Sequence, residues 1–268
     1  MNNTTASLRV AALYRYPVKG FAPETCESLT VLDDGRIAGD RVLGLRFANA
    51  ATAGDEWGTK HEFVALVNTP GLARLEPTFD HESLRLRIAS RGEVLVDEGL
   101  DDDGRGRIAT AVAEYVLGLA ENPLSSQPQR LPLRVVGDGR TPRYQDDRAG
   151  LVTLHSRASL AAIAGMAQVP GLREQRFRSN IAIEGAGAWS EQDWLGRRIR
   201  IGTVEFDAVQ AKTRCLATHA NPSTGERDLP MMKMLLKAYA TEKPTFAIAL
   251  AIRGEGGAIR VDDDVAVI

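Results

Sequence analysis

The chain has 268 residues, 44% hydrophobic and 25% charged. That suits one large globular domain or two small ones and excludes a disordered tail, a collagen-like chain and a disulfide scaffold. The net charge of −2 divides into −5 over residues 1–130 and +3 over residues 131–268, too little positive charge for broad nucleic-acid binding.

Short strands dominate the pattern. Leu8, Val10, Ala12 and Tyr14 alternate as a half-buried strand does. Leu84 to Ile88 alternates cleanly, and Arg91-Gly92 turns the chain before Val94 and Val96. Ile108, Ala111, Val112, Tyr115, Val116 and Leu119 form one helical stripe, closed by Gly118 and Asn122-Pro123. From Glu121 to Arg134 three prolines deny helix and central strand, which marks a linker between domains at 1–122 and 123–268. Gly137 to Gly150 reads as loop. Ser159 or Ser156 caps a short helix carrying Leu160, Ile163 and Ala164. Ile199 and Ile201 share a face, and Val204, Phe206 and Ala208 continue in the opposite phase after Gly202-Thr203 shifts the register. Leu229 to Tyr239 reads as a third helix with Pro230 in its first turn. Phe246 to Ile252 is apolar enough for a strand buried on both faces or set in a closed barrel, and Ile259 to Val267 supplies the last strands. The fold class expected is mainly β with some α.

No run of about 18 apolar residues is present to span a membrane. The polar start, Met1 to Ser7, lacks the apolar core of a secretory signal. The two cysteines, Cys26 and Cys215, suit a reducing compartment better than one disulfide. These features predict a soluble, cytoplasmic protein with neither membrane nor nucleic-acid partner.

Common catalytic signatures are missing: there is no Gly-x-Ser-x-Gly elbow, Walker loop, dinucleotide fingerprint, zincin spacing or Cys-x-x-Cys. Three segments still carry chemistry. In Lys212-Thr213-Arg214-Cys215 a thiol follows a guanidinium, which favours a thiolate able to act as nucleophile, persulfide carrier or soft-metal ligand. A buried, inert thiol is the other reading, and it is the one that suits Cys26. In Arg176-Phe177-Arg178-Ser179-Asn180, alternate residues of an extended chain share a face, so Arg176, Arg178 and Asn180 either converge on one anion or lie on a solvated edge strand. In Tyr16-Pro17-Val18-Lys19-Gly20 a tight turn exposes Lys19 and backbone donors, while Arg41 after Asp40 is a candidate local ion pair.

Together these segments resemble the MOSC family, in the two-part form that pairs an N-terminal MOSC β-barrel-like domain with a MOSC domain. The mitochondrial amidoxime-reducing components and their bacterial relatives have that form. The resemblance rests on Tyr16 to Lys19, on Gly35 to Arg41, and on Thr59-Lys60 to Leu66 with Pro70 and Leu72. It continues through Arg176 to Ile181, Glu184-Gly185, Trp189, Glu191, Asp193-Trp194, Gly196 and Ile201-Gly202. It closes on Thr213-Arg214-Cys215 and Asn221-Pro222-x-Thr224-Gly225.

The resemblance implies a β-rich first domain, a MOSC β-barrel and a molybdenum cofactor, a molybdopterin carrying one molybdenum. It places the metal ligand at Cys215. It places the cofactor contacts at Lys19, Gly20, Arg41, Arg178, Asn180, Thr213 and Arg214, and a pocket carboxylate at Asp147. Two positions depart from the family pattern: Gly20 stands where relatives often have Ser, and Lys212 where many have a second Cys. The implied activity is reduction of small N-hydroxylated compounds such as hydroxylamines and amidoximes. The alternatives are a sulfur carrier using a Cys215 persulfide and a non-catalytic molybdopterin-binding module. Two cysteines cannot ligate an iron–sulfur cluster that needs about four. The chain also ends at Ile268 without an appended ferredoxin domain, so electrons are expected from a separate flavin, haem or iron–sulfur protein.

Overall fold

The computed structural model describes residues 7–239 and 242–268, so the polar start lies outside it apart from Ser7. The first strands are β1 (Arg9–Arg15), β2 (Glu24–Cys26), β3 (Ser28–Val31) and β4 (Gly44–Arg46). An antiparallel meander follows, made of β5 (Leu75–Asp80), β6 (Arg85–Ser90) and β7 (Glu93–Gly99). Helix α1 (Asp102–Leu117) packs against it. It starts ahead of the apolar stripe because the Asp101 carboxylate accepts from the Gly104 amide at 2.8 Å, an N-cap that adds a turn.

The proline-rich stretch after α1 is packed rather than free. The Arg130 carbonyl accepts from the Ala48 amide at 2.9 Å, and its guanidinium lies over the Phe47 ring. Strand β8 (Arg134–Val136) then pairs with β4. Strand β9 (Val152–Ser156) leads into helix α2 (Arg157–Ala167), capped by Ser156 rather than Ser159. Strand β10 (Ile181–Glu184) follows. Strands β11 (Arg198–Ile201) and β12 (Val204–Thr213) form a hairpin. Here the sequence reading is corrected. Gly202-Thr203 is the two-residue turn of that hairpin, with Gly202 at φ +56°, and not a register shift within one run. Helix α3 (Met231–Ala238) and strands β13 (Thr245–Arg253), β14 (Gly257–Arg260) and β15 (Val265–Val267) complete the chain.

Eight strands form one sheet in the order β15-β11-β12-β13-β9-β10-β1-β2, in which only β9 and β10 run parallel. The Val10 amide donates to Asp263 and the Val265 amide to Leu8, both at 2.9 Å, so the first strand also meets the last and the sheet closes into a barrel. Its interior holds Val10, Leu13, Leu154, Ile181, Ile199, Phe206, Ile248 and Leu250, the inward residues of the alternating strands. Two of those eight strands, β1 and β2, come before position 122, and outside that sheet β3 pairs across it with β14. The two halves of the sequence are therefore interleaved in space. A second core joins α1, the meander and the loops after β1 through Phe21, Leu43, Leu45, Leu72, Ile108 and Val112. A third lies under α2 and α3, where Phe177 stacks on Phe246. Among the described residues no helix is long and apolar enough to cross a membrane.

Candidate functional site

Where the two larger cores meet, the loop after β1, the Asp40-Arg41 turn, the loop before β9, the turn before β10 and the end of β12 surround one cleft of about 250 Å³. Lys19, Gly20, Arg41, Asp147 and Arg178 line it, and so do Asn180, Thr213, Arg214 and Cys215. All nine residues singled out in the sequence are thus brought together. They play unequal parts.

Lys19 is 3% exposed, so the turn does not expose it as its sequence suggests. Its Nζ donates to the Tyr144 carbonyl at 2.8 Å and to Asp146 Oδ1 at 2.6 Å. Burial pulls the Lys19 pKa down against the opposing pull of Asp146. The Lys19 charge and hydrogen bond hold the Asp146 carboxyl well below the usual carboxylate range. The following Gly20 sits at φ +86°, and a Cβ there would meet Ala65 Cα at 2.8 Å. Glycine suits this position because the backbone is left-handed and pressed against a neighbouring chain segment.

Arg41 forms a short ion pair with Asp40, whose Oδ1 also accepts from the Tyr16 amide at 2.8 Å. The guanidinium groups of Arg41 and Arg178 both lie over the buried Tyr16 ring, 4.5 and 4.4 Å from its centroid. Burial pushes the Tyr16 phenol up to about 12, against the pull of Arg178 and Arg41. Arg178 itself has no carboxylate bonded to it. Its Nη1 donates to the Phe21 carbonyl at 2.6 Å, and its pKa is lowered by burial and by repulsion from Arg41.

The segment leading to Arg178 is not extended, which corrects the shared-face reading. Glu174–Phe177 is a one-turn 3-10 helix and Arg178 follows at φ +56°. The three side chains consequently diverge. Arg176, 4% exposed, forms a two-pronged pair with Asp228 at 2.8 and 3.0 Å and donates to the Thr218 and His219 carbonyls at 3.1 Å. It ties this turn to the loop that follows Cys215. The Asn180 amide is spent on the barrel: Nδ2 donates to the Tyr14 carbonyl at 3.2 Å, and Oδ1 accepts from Thr153 Oγ1 at 3.2 Å. Of the three, Arg178 alone keeps a donor set that protein carboxylates leave free.

Strand β12 ends at Thr213, which is exposed at the cleft. Arg214 turns inward, and its Nε and Nη1 donate to the Phe246 and Phe177 carbonyls at 2.7 and 2.9 Å. Its Nη2 is buried without a partner. Burial lowers the Arg214 pKa to about 10, with Cys215 the first of the groups opposing that shift. Cys215 is half-buried, and its carbonyl accepts from Thr218 Oγ1 at 2.9 Å and anchors the Leu216–His219 turn. Lys212 reaches Asp147 at 3.7 Å, an ion pair beside the Cys215 turn. Burial lowers the Lys212 pKa and Asp147 opposes it. Cys26 is half-buried against the barrel core, and burial raises its pKa, as the inert reading expects.

Sequence reasoning passed over Tyr16, Asp146 and Lys60. Lys60 lines the cleft with no carboxylate paired to it. Tyr16 stood inside a quoted motif, but only the fold brings Arg41 and Arg178 onto its ring. Asp146 adjoins Asp147, and one position along an irregular loop is not resolved by pattern.

Residues 141–266 match the MOSC domain, and residues 7–111 match the MOSC N-terminal beta barrel domain. The chain belongs to the MOSC family. It is 27% identical over 274 aligned positions to mitochondrial amidoxime-reducing component 1 of Homo sapiens, covering 88% of this chain and 73% of that protein. The Mus musculus protein of the same name is 35% identical over a stretch covering 35% of this chain and 30% of the relative. Molybdenum cofactor sulfurase of Caenorhabditis elegans is 31% identical over 67% of this chain, which is only 26% of the sulfurase.

The cleft residues fit an anionic cofactor of the kind these names imply. Arg178 and Arg214 are half-buried cations hydrogen-bonded only to carbonyls, and Arg214 Nη2 is buried without a partner. Such a charge is costly unless an anion completes it. Among the described residues no cluster of three or more His, Cys, Asp and Glu could hold a bare metal ion. A single thiol at the cleft suits a metal that brings its remaining ligands with it.

Proposed function

We propose that this MOSC protein is a molybdenum-cofactor-dependent reductase of N-hydroxylated compounds, hydroxylamines and amidoximes, that takes electrons from a separate redox protein. The observation carrying the reading is the pair of under-neutralised guanidiniums, Arg178 and Arg214, beside Cys215 in one cleft. The name of the human relative that aligns along most of the chain points the same way. Bound molybdenum cofactor would supply two-electron oxygen-atom chemistry, which protein side chains lack.

In this reading, Lys19, Arg41, Arg178 and Arg214 hold the cofactor's anionic groups, with the Gly20 backbone and Thr213 as neutral contacts. Cys215 is the protein ligand to the metal. Asn180 contributes by fixing the strand that aims Arg178. Asp147, tied to Lys212, is the carboxylate nearest the role of moving a proton at the cleft mouth. Residues 1–122 act as the β-rich first domain and 123–268 as the MOSC domain, each supplying one wall.

The test is metal and pterin analysis of the purified protein, followed by turnover of a hydroxylamine with reduced viologen. Stoichiometric molybdenum with viologen-driven turnover is expected, and no turnover with NADH alone. Robust NADH-driven turnover in protein free of contaminating reductase would overturn the need for a separate donor. The sulfurase relative favours a second reading, a Cys215 persulfide for sulfur transfer. Cyanide-labile sulfur in metal-free protein would select it.

A further inference from the structure

A second cleft, of about 450 Å³, adjoins the first and shares Leu66, Arg176, Arg178 and Ala217 with it. Ala217 stands two residues after Cys215, so the common wall reaches the proposed metal ligand's own turn. Beyond that wall three arginines from three separate segments converge. Arg74 comes from the turn after Pro70, Arg91 from the bend between β6 and β7, and Arg173 from the start of the Glu174 turn.

Their charges are unspent. Arg91 makes no hydrogen bond or ion pair among the described residues. Arg173 donates only to Ser223 Oγ at 3.0 Å, and Arg74 to the Tyr115 hydroxyl at 3.1 Å. Other surface arginines do have carboxylate partners, as Arg9 has Glu184, Arg107 has Glu98 and Arg253 has Asp207. One carboxylate, Glu76, lines this cleft, against five guanidiniums. Of those five, Arg176 alone is neutralised, by Asp228. Ala22, Pro23 and Pro222 give the rest of the lining an apolar character. An apolar surface ringed by free guanidiniums suits an aromatic or aliphatic body ending in a carboxylate or phosphate.

We propose that this second cleft is the subsite for an anionic arm of the substrate, with Arg91 and Arg173 as specificity residues. The inference rests on the reductase reading, since it is the hydroxylamine end that would lie in the first cleft. It deepens that reading by naming the substrate class: N-hydroxylated compounds that also carry an oxyanion.

Calorimetry on the holoprotein with aniline, 4-aminobenzoate and 4-aminophenyl phosphate tests it, alongside turnover of phenylhydroxylamine and 4-(hydroxyamino)benzoate. The anionic amines are expected to bind about 10-fold tighter than aniline, with the advantage shrinking as salt rises. Whichever of the two anions binds tighter identifies the group. The R91A/R173A pair should abolish the advantage and raise KM for the hydroxyaminobenzoate with little change in kcat. Glu76→Gln should move the same affinity the other way, tightening it about 3-fold. Equal affinity for all three amines, or an advantage untouched by R91A/R173A and E76Q, overturns the subsite. Turnover of phenylhydroxylamine in that case leaves the reductase reading standing. Arginine-dependent anion preference without turnover of either hydroxylamine overturns the reductase reading instead, and leaves an anion-binding cleft.

Discussion

Two polar clusters, one buried and one half-buried, flank the turn from Glu174 to Asn180, and they are neutralised in opposite ways. On one side the Glu174 carboxylate is met by the Tyr14 hydroxyl at 2.6 Å, by His155 Nε2 at 3.3 Å and by Arg157 at 3.0 and 3.2 Å. On the other side Arg178 and Arg214 meet carbonyls only. In the first cluster one anion is matched by the donors around it, with His155 Nδ1 left over, so its charge is balanced and it serves the fold. The second has donors left over, so it serves a ligand. Burial alone does not separate structural from functional polar groups; the local charge balance does.

The largest expected effect breaks the comparison at its reacting end. Cys215→Ala should reduce hydroxylamine turnover to background, because Cys26 is packed against the barrel core instead of the cleft. Cys26→Ala should leave turnover near the wild-type rate. Turnover at the wild-type rate in Cys215→Ala would remove Cys215 from the chemistry.

The next effect tests the cleft cations, one paired and one not. Lys19→Ala and Arg178→Ala each delete a cation from the cleft, a loss of about 2–5 kcal/mol where its partner stays buried. That corresponds to roughly 30-fold to several-thousand-fold weaker cofactor retention. Lys19→Ala also leaves Asp146 without its counter-ion. Pterin content unchanged in both purified variants would assign these residues to the fold alone.

How far the sequence could be read follows the same division. Alternation and apolar runs revealed the longer strands and the three helices of the described residues, because one buried face repeats at a fixed period; short strands such as β4 and β8 carry too few residues to show one. The nine site residues expected from the family resemblance all line the cleft, since the resemblance preserves residue types. What stayed hidden was partnership. Arg176 and Arg178 are two positions apart and chemically identical, yet a one-turn helix and a left-handed residue send the first to Asp228 and leave the second without a carboxylate. Nor did the proline-rich stretch show that strand pairing crosses it, because ladders between distant segments leave no local signal.

The balanced cluster gives a stability effect rather than a functional one. Glu174→Gln should cost on the order of 3 kcal/mol by leaving Arg157 and the other donors underpaired. It should also change the acid limb. The donors hold the Glu174 pKa below its unfolded value although burial opposes them. Its contribution is therefore complete above the unfolded carboxylate range and is lost as pH falls toward the folded value. Burial lowers the His155 pKa, so protons entering from about pH 6.5 downward favour the unfolded chain as well. Urea midpoints should fall with acid in the wild type and fall less steeply in Glu174→Gln. Parallel curves would detach Glu174 from the acid response.

The smallest expected effect concerns Gly20, where the backbone and not charge decides. Its φ of +86° is one that side chains other than glycine seldom adopt, and a Cβ would come within 2.8 Å of Ala65 Cα and 3.1 Å of the Val64 carbonyl oxygen. Both contacts are with backbone atoms, which cannot swing aside as a flexible side chain does. Gly20→Ala should therefore destabilise the protein by about 1–3 kcal/mol, and Gly20→Ser by a similar amount despite restoring the residue common in relatives. Because Gly20 directly follows Lys19, the same strain should move the Lys19 ammonium and lower cofactor retention in proportion to the stability lost. Calorimetric melting and pterin content measured on the same preparations check both parts. A Gly20→Ser protein as stable as wild type, with more pterin bound, would show that the turn accommodates a side chain and that the hydroxyl contact outweighs the backbone constraint.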